Sequence, residues 1–345
     1  MRVCFPRDKR MTAFHIERTR LGPHEIVVLH DVANGRSARI ACRGATLISL
    51  EQAAHGAVHQ LVDGYRDGGE LDSRPSSRCA IMAPFANRID DARYSFDGCE
   101  QDLQPGVEGA QRASRHGFVR GVDFDVANQR ATPDDAQVTF STQAIRPGAF
   151  HGYPHAIDLA VTYTLDANGL ALTVSMRNVG DTSAPCFFGW HPYFRVGEGV
   201  VDSWELQVPA THLVRTTPDY IPLPGEQAYQ PLDEAPQALD FRQAKPIGST
   251  KIDNAYAGLL IGADGRTRTH LRNPATGLAL SIWQERGVML VFTADTVTRD
   301  VRQAVALEPM ESLSNAFNRP DCADAIRLEP GAERQFHCGV EIEVI

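Results

Sequence analysis

The chain has 345 residues, 43% of them hydrophobic and 22% charged, which is ordinary globular usage with length enough for a large core. A formal net charge of -9 gives no overall attraction for nucleic acid or an anionic membrane. No broad basic face advertises phosphorylated substrates, and the length, which would suit two domains, also suits one all-β domain.

Taken in order, residues 1–11 are basic and lack the apolar stretch of a secretory signal. A leader over residues 1–14 is expected, then a single domain over 15–345 with its core opening near Ile16. Strands are expected at 25–29, 38–42 and 138–141. Residues 72–77 read as a long loop. Residues 157–165 and 170–176 alternate apolar and polar side chains. Asp166-Ala167-Asn168-Gly169 between them tolerates positive φ, so the pair reads as a hairpin. Residues 222–237 form a second Pro/Gly-rich loop. A further hairpin is read from 259–261 through Ala263-Asp264-Gly265 to 267–271. The Asn273–Gly277 turn then leads to a strand at 278–283. Residues 289–293 read as a strand. At the end, Phe336, Cys338, Val340, Ile342 and Val344 share one face.

No sustained helical period interrupts this pattern, so the fold class is all-β, a sandwich or barrel. No stretch approaches the roughly 20 apolar residues that cross a bilayer. The seven cysteines are odd in number and scattered, without a C-x-x-C pair. A reducing cytoplasm suits them. No nucleic-acid or membrane partner is expected.

Four segments stand out chemically. Asn87 and Arg88 sit together in Ala83-Pro84-Phe85-Ala86-Asn87-Arg88-Ile89 and can donate to hydroxyl oxygens; the alternative is a structural arginine capping carbonyls. His116 precedes a glycine in Arg115-His116-Gly117-Phe118-Val119-Arg120, where a ligand can approach the backbone; a structural hydrogen bond is the alternative. His191 lies among the aromatics of 187–194, either as a desolvated acid or base or as part of a core cluster. Glu308 follows the apolar run 304–307; partial burial there would raise its pKa, whereas an exposed loop start would not. His55 and His59 lack the Glu of a zinc-protease helix, and Tyr153-Pro154 breaks the helix that would align His151 with His155. There is no phosphate loop and no G-x-S-x-G elbow.

In this order, P-F-A-N-R-I, H-G-F, G-W-H-P-Y-F, D-N-A-Y and L-E-P-M with N-A-F-N resemble the aldose 1-epimerase (galactose mutarotase) family. Residues 62–65 look like its early loop, and the resemblance spans about residues 15–345. It implies a large antiparallel β-sandwich of the galactose mutarotase-like supersandwich type, with a concave sugar-binding face. It further implies Glu308 as general base and His191 as general acid. Arg88, Asn87, His116 and Asp253 would be substrate-binding. From their residue type Trp190, Tyr193 and Trp283 are candidate apolar platforms, with simple core packing the leading alternative for Trp283. The chain departs from the best-known galactose mutarotases, which often carry H-G-G and L-E-T-Q. It shares H-G-F with hexose-6-phosphate epimerases but has P-F-A-N-R-I where those have P-W-F-G, which argues against a phosphosugar.

The implied reaction interconverts the α and β anomers of a free aldohexose by ring opening. It moves no electrons and makes no lasting bond to the protein, so no metal or cofactor is expected. The implied partner is a small sugar, bound by a monomer or homodimer. An ionised Glu308 beside a protonated His191 predicts a bell-shaped kcat/KM profile, with a limb between about pH 5 and 8 if the histidine is unperturbed. The rivals are a hexose-6-phosphate 1-epimerase, which needs two or three cationic groups at the mouth of the site, and a sugar-binding or regulatory protein that lost turnover. A carbohydrate-binding accessory domain would need a secretion signal or a fused catalytic module, and neither is visible.

Overall fold

The computed structural model describes residues 13–109, 112 and 114–344. The basic leader therefore lies, up to residue 12, outside the described residues. The first strand opens at Phe14, slightly earlier than the expected start of the core.

Period-2 alternation generates the architecture. In Ile157–Asp166 the residues Ile157, Leu159, Val161, Tyr163 and Leu165 are buried, and the intervening positions face outward. Gly169–Asn178 pairs with it in the expected antiparallel register, from Leu165 opposite Leu170 to Ile157 opposite Asn178. On the outer face Thr139 and Thr162 share a cross-strand hydrogen bond of 2.9 Å. This hairpin sits inside a nine-stranded sheet, bordered by Asp135–Ile145 and by Glu333–Val344. A five-stranded meander runs from Phe14–Leu21 to Ala57–Gln60. The third sheet has eight strands, among them Asp253–Ala257, Val288–Phe292, Val305–Met310, Gly189–His191 and Ala80–Met82.

All pairings between the described strands of these sheets are antiparallel, as the sequence predicts. One apolar cluster joins the three sheets, with Val27 and Leu29 of the meander, Phe140 and Leu172 of the nine-stranded sheet, and Met289 and Leu307 of the eight-stranded one. Tyr163 also ties two sheets by donating its hydroxyl hydrogen to the Ala45 carbonyl at 2.8 Å.

Two expectations need correction. Residues 259–261 are not a strand: Asp253–Ala257 ends at Gly258, whose φ is +63°. Leu260 and Ile261 then stand 56% and 59% exposed, tethered by the Leu260 N–H donating to the Pro209 carbonyl. The loops at 72–77 and 222–237 are also partly ordered. The first is entered by the helix Gly68–Ser73, capped by the Asp67 carboxylate, and the second contains the strand Tyr229–Pro231.

Leu172 is fully buried where the sheets meet. Leu172→Ala should lower unfolding stability by about 2–5 kcal/mol through lost transfer energy and a residual cavity. Urea titration should show a lower midpoint at unchanged slope.

Candidate active site

The strand Val305–Met310 is buried along its whole length and carries Glu308 on its cleft-facing side. Val288–Phe292 flanks it on one side, with Leu290 opposite Glu308. On the other side lie Gly189–His191 and Tyr193–Phe194, split by Pro192. This places His191 Nε2 at 3.3 Å from Glu308 Oε1, with the two residues 6% and 1% exposed. His191 Nδ1 and Glu308 Oε2 are buried without a hydrogen-bond partner among the described residues.

Two loop segments complete the wall by very close backbone approach. Gly117 pairs with Ala83, and the Phe118 N–H donates to the Ala83 carbonyl at 2.8 Å. The His116 N–H donates to the Asn87 carbonyl at 2.8 Å. Gly117 has a φ of +64°, and a Cβ there would lie 2.0 Å from the Ala83 oxygen. Only glycine meets both conditions. Next to this junction Arg88–Ile89 pairs with Ser114–Arg115. The Asn87 Oδ1 accepts from Arg88 Nη1 at 2.8 Å and from Ser314 Oγ at 3.3 Å. The Asn315 N–H donates to the Arg88 carbonyl. Ser314 and Asn315, in the segment after the Glu308 strand, thus buttress the asparagine–arginine pair. His116 presents its ring edge to His191, with centroids 5.2 Å apart, and its Nδ1 rests against Met82 Sδ.

Tyr193 stacks on His191 at 5.1 Å with 17° between the rings. Beneath it lies the Arg78 guanidinium, 4.9 Å from the ring centroid and 1% exposed. Arg78 bonds the Asp63 carboxylate, whose other oxygen accepts from Arg299 at 2.8 Å. A buried ion network therefore holds the ring that holds the histidine.

Burial dominates the electrostatics. It pushes the Glu308 carboxyl well above the usual carboxylate range, reinforced by Asp253 and opposed by Arg88. It pushes His191 down to about 3, helped by the charges of Arg120, Arg78 and Arg88. Burial likewise raises Asp253, against the pull of Arg88 and Arg115, and drives His116 well below its ordinary value. Burial thus disfavours the charged form of both members of the pair.

These groups surround one cleft of about 320 Å³. All six residues singled out for the site line it: Glu308, His191, Arg88, Asn87, His116 and Asp253. Of the three candidate platforms Tyr193 lines it too, Trp190 does not, and Trp283 takes the core-packing alternative. Trp190 points to the opposite side of its strand, fully buried edge-on to Phe194. Trp283 belongs to the nine-stranded sheet, with the Arg266 guanidinium 3.9 Å over its ring. Sequence reasoning assigned no role to Ser76, Ser77, Arg115 and Arg120, which also line the cleft. It also missed Glu311, a buried carboxylate that accepts the Phe188 N–H and pairs with Arg286 and Arg334, tying the two histidine- and glutamate-bearing strands. The signal for Glu311 was present as a second acid just after L-E-P-M.

The arrangement of antiparallel sheets is the galactose mutarotase-like class of fold. Galactose 1-epimerase from Lactobacillus acidophilus superposes with a TM-score of 0.78 at 14% identity, over 96% of this chain and 99% of that one. A GalM/aldose epimerase homologue from C. elegans gives 0.76 at 18%, over 96% and 100%. The sequence model of the family described as Aldose 1-epimerase matches residues 26–341, and the chain belongs to that family. Its relatives include the uncharacterized protein YihR of Escherichia coli, 29% identical over 73% of this chain and 74% of that protein. The aldose 1-epimerase of the same organism is 25% identical over 79% and 76%.

Gly117→Ala forces a Cβ onto the Ala83 oxygen at positive φ. It should cost at least about 1–2 kcal/mol of stability, read by urea unfolding, from backbone strain alone. Sugar affinity should fall with it, because His116 and Asn87 are set by the same junction.

Proposed function

We propose that this protein is an aldose 1-epimerase that interconverts the α and β anomers of a free aldohexose by acid–base ring opening. The observation that carries the reading is the 3.3 Å approach of His191 Nε2 to Glu308 Oε1 at the floor of a polar cleft. Opening a pyranose requires the C1 hydroxyl to lose a proton and the ring oxygen O5 to gain one. The two oxygens share the carbon C1, so an acid and a base side by side can serve both. Glu308 takes the C1 hydroxyl proton and His191 protonates O5. The aldehyde then rotates about C1–C2 and closes with the roles reversed. Arg88, Asn87, His116 and Asp253 orient the ring hydroxyls. Asp253 accepts from them where Arg88 and Asn87 donate.

Ring opening as written starts from carboxylate beside imidazolium and ends at carboxylic acid beside neutral imidazole, and each state holds one dissociable proton. The two are tautomers, and each half-reaction converts one into the other through the sugar. The pair, not either residue, sets the pH dependence. Because the His191 pKa is lowered, a second proton joins the pair only near pH 3. Because the Glu308 pKa is raised, the one working proton is lost only well above 4.5. The profile should still be bell-shaped, but burial moves the limb expected of an ordinary histidine out of the pH 5–8 window. kcat/KM should hold down through about pH 5 and fall on the alkaline side. A profile that climbs through pH 6.5 with no alkaline fall would reject the shared proton.

Polarimetry of freshly dissolved α-D-glucose and α-D-galactose tests the function directly. The wild type should hasten the approach to equilibrium rotation. Glu308→Gln should lower kcat by about 10²–10⁴-fold while the fold survives. A folded wild type that accelerates neither sugar nor any other aldose tried would sink the proposal.

A further inference from the structure

Residues 216–222 form an arm that leans on the site from outside it. The Thr217 N–H donates to the Ile221 carbonyl at 2.8 Å, the Tyr220 N–H donates to the Thr217 carbonyl at 3.0 Å, and Thr216 bridges to Pro222. Pro218, Asp219 and Tyr220 are therefore a three-residue hairpin loop, whose last position takes the left-handed conformation. Glycine is the residue such loops carry there. Here the position holds tyrosine, at a φ of +63°. No other tyrosine, phenylalanine or tryptophan among the described residues has a positive φ. For a bulky side chain that conformation is strained, and glycine or asparagine would relieve it. The arm is also anchored. The Leu223 N–H donates to the Arg215 carbonyl at 3.0 Å, and Arg319 donates to the Leu223 and Gly225 carbonyls at 2.7 and 3.2 Å.

What the strained position gains is a contact with Arg88, whose guanidinium carbon lies over the Tyr220 ring, 4.8 Å from its centroid. Arg88 needs such a partner. Its guanidinium makes one hydrogen bond among the described residues, from Nη1 to Asn87 Oδ1 at 2.8 Å, and no ion pair. Arg302, partly buried like Arg88, is instead held by five hydrogen bonds, three of them to Asp202 and Asp295. One bond fixes a point of the guanidinium fork and leaves its direction open. An aromatic face beneath the cation supplies the second constraint. Tyr220 applies it from behind. Between the arm and Arg88 lies a cavity of only about 20 Å³, lined by Tyr220, Pro222 and Leu313. Asn87, Arg88, Asp253 and Leu290 line both this cavity and the cleft, whereas Tyr220 lines the cavity alone. Any influence of the ring on a ligand therefore passes through Arg88.

We propose that Tyr220 is a positioning residue, held in a strained turn so that its ring aims the Arg88 guanidinium into the cleft, and that sugar affinity depends on it without any contact between ring and sugar. For that consequence the inference rests on the epimerase reading, which makes Arg88 a sugar ligand. A turn that breaks its own local rule, next to a ligand cleft, gives up stability for the placement of one group.

The test compares Tyr220→Phe, Tyr220→Asn and Arg88→Met with the wild type. Asparagine tolerates a positive φ, so Tyr220→Asn should fold, with a urea midpoint at or above that of the wild type. Heteronuclear NMR of the arginine side chains reads the contact without any sugar. The Arg88 Nε–H signal, assigned by its loss in Arg88→Met, should be displaced by the tyrosine ring current and should move toward the exposed arginines in Tyr220→Asn. Calorimetry with D-glucose and D-galactose at anomeric equilibrium reads affinity whether or not they are turned over. Tyr220→Asn should weaken binding about three- to tenfold, the worth of a cation–π contact, and Tyr220→Phe should stay within about twofold. In an Arg88→Met background the same Tyr220→Asn change should cost less than about twofold, because the two residues act as one unit. By polarimetry the loss should fall on KM, with kcat kept within about twofold. An Arg88 signal that stays in place in Tyr220→Asn overturns the positioning, as do undiminished affinity in that variant and an equal loss in both backgrounds. A wild type that binds sugar and epimerises none removes the epimerase and leaves the positioning. A wild type that epimerises, with Arg88 and KM unmoved in Tyr220→Asn, does the reverse.

Discussion

The structure depends on one constraint, that a carboxyl group and an imidazole be kept dry and in contact. Isolated in an apolar interior, either charge would be prohibitively costly, and burial shifts both proton affinities toward the uncharged forms. Glu308 can be 1% exposed because its strand is flanked on both sides within the eight-stranded sheet. His191 can be equally enclosed because Tyr193 covers one face and His116 abuts it. The same burial that stabilises the surrounding sheet moves the two proton affinities away from their ordinary values. Core packing and chemistry are therefore one arrangement here.

That arrangement is held from behind by charge and from the side by backbone. Asp63, shared by Arg78 and Arg299, fixes a cation under Tyr193. Removing either guanidinium would leave the carboxylate under-compensated, so the network is intolerant of loss whatever its net worth. The 83–89 and 114–118 segments meet by backbone contact at Gly117. That contact lets a histidine and an arginine, distant in sequence, face one cleft without a long element between them. Glu311 joins the strands of His191 and Glu308 through the Phe188 N–H. Each support acts on position and none touches the cleft centre.

Most of the fold was legible because its strands obey a period of two. The alternation in residues 157–165 fixed both the strand and its buried face, and the Asp-Ala-Asn-Gly turn fixed its partner. Residues 259–261 misled because a short apolar run carries no phase, and Gly258 ended the preceding strand just there. The candidate site was legible as motifs in order, since Asn87, Arg88, His116, His191, Asp253 and Glu308 converge in space. Which aromatic faced the cleft was not. Trp190 and His191 are neighbours on a strand, so alternation requires that they point apart, but only the fold says which points inward. The Arg78–Asp63–Arg299 network was invisible because its members come from different loops. Arg115 and Arg120 were visible as residues flanking H-G-F, yet that both line the cleft is a property of the folded neighbourhood.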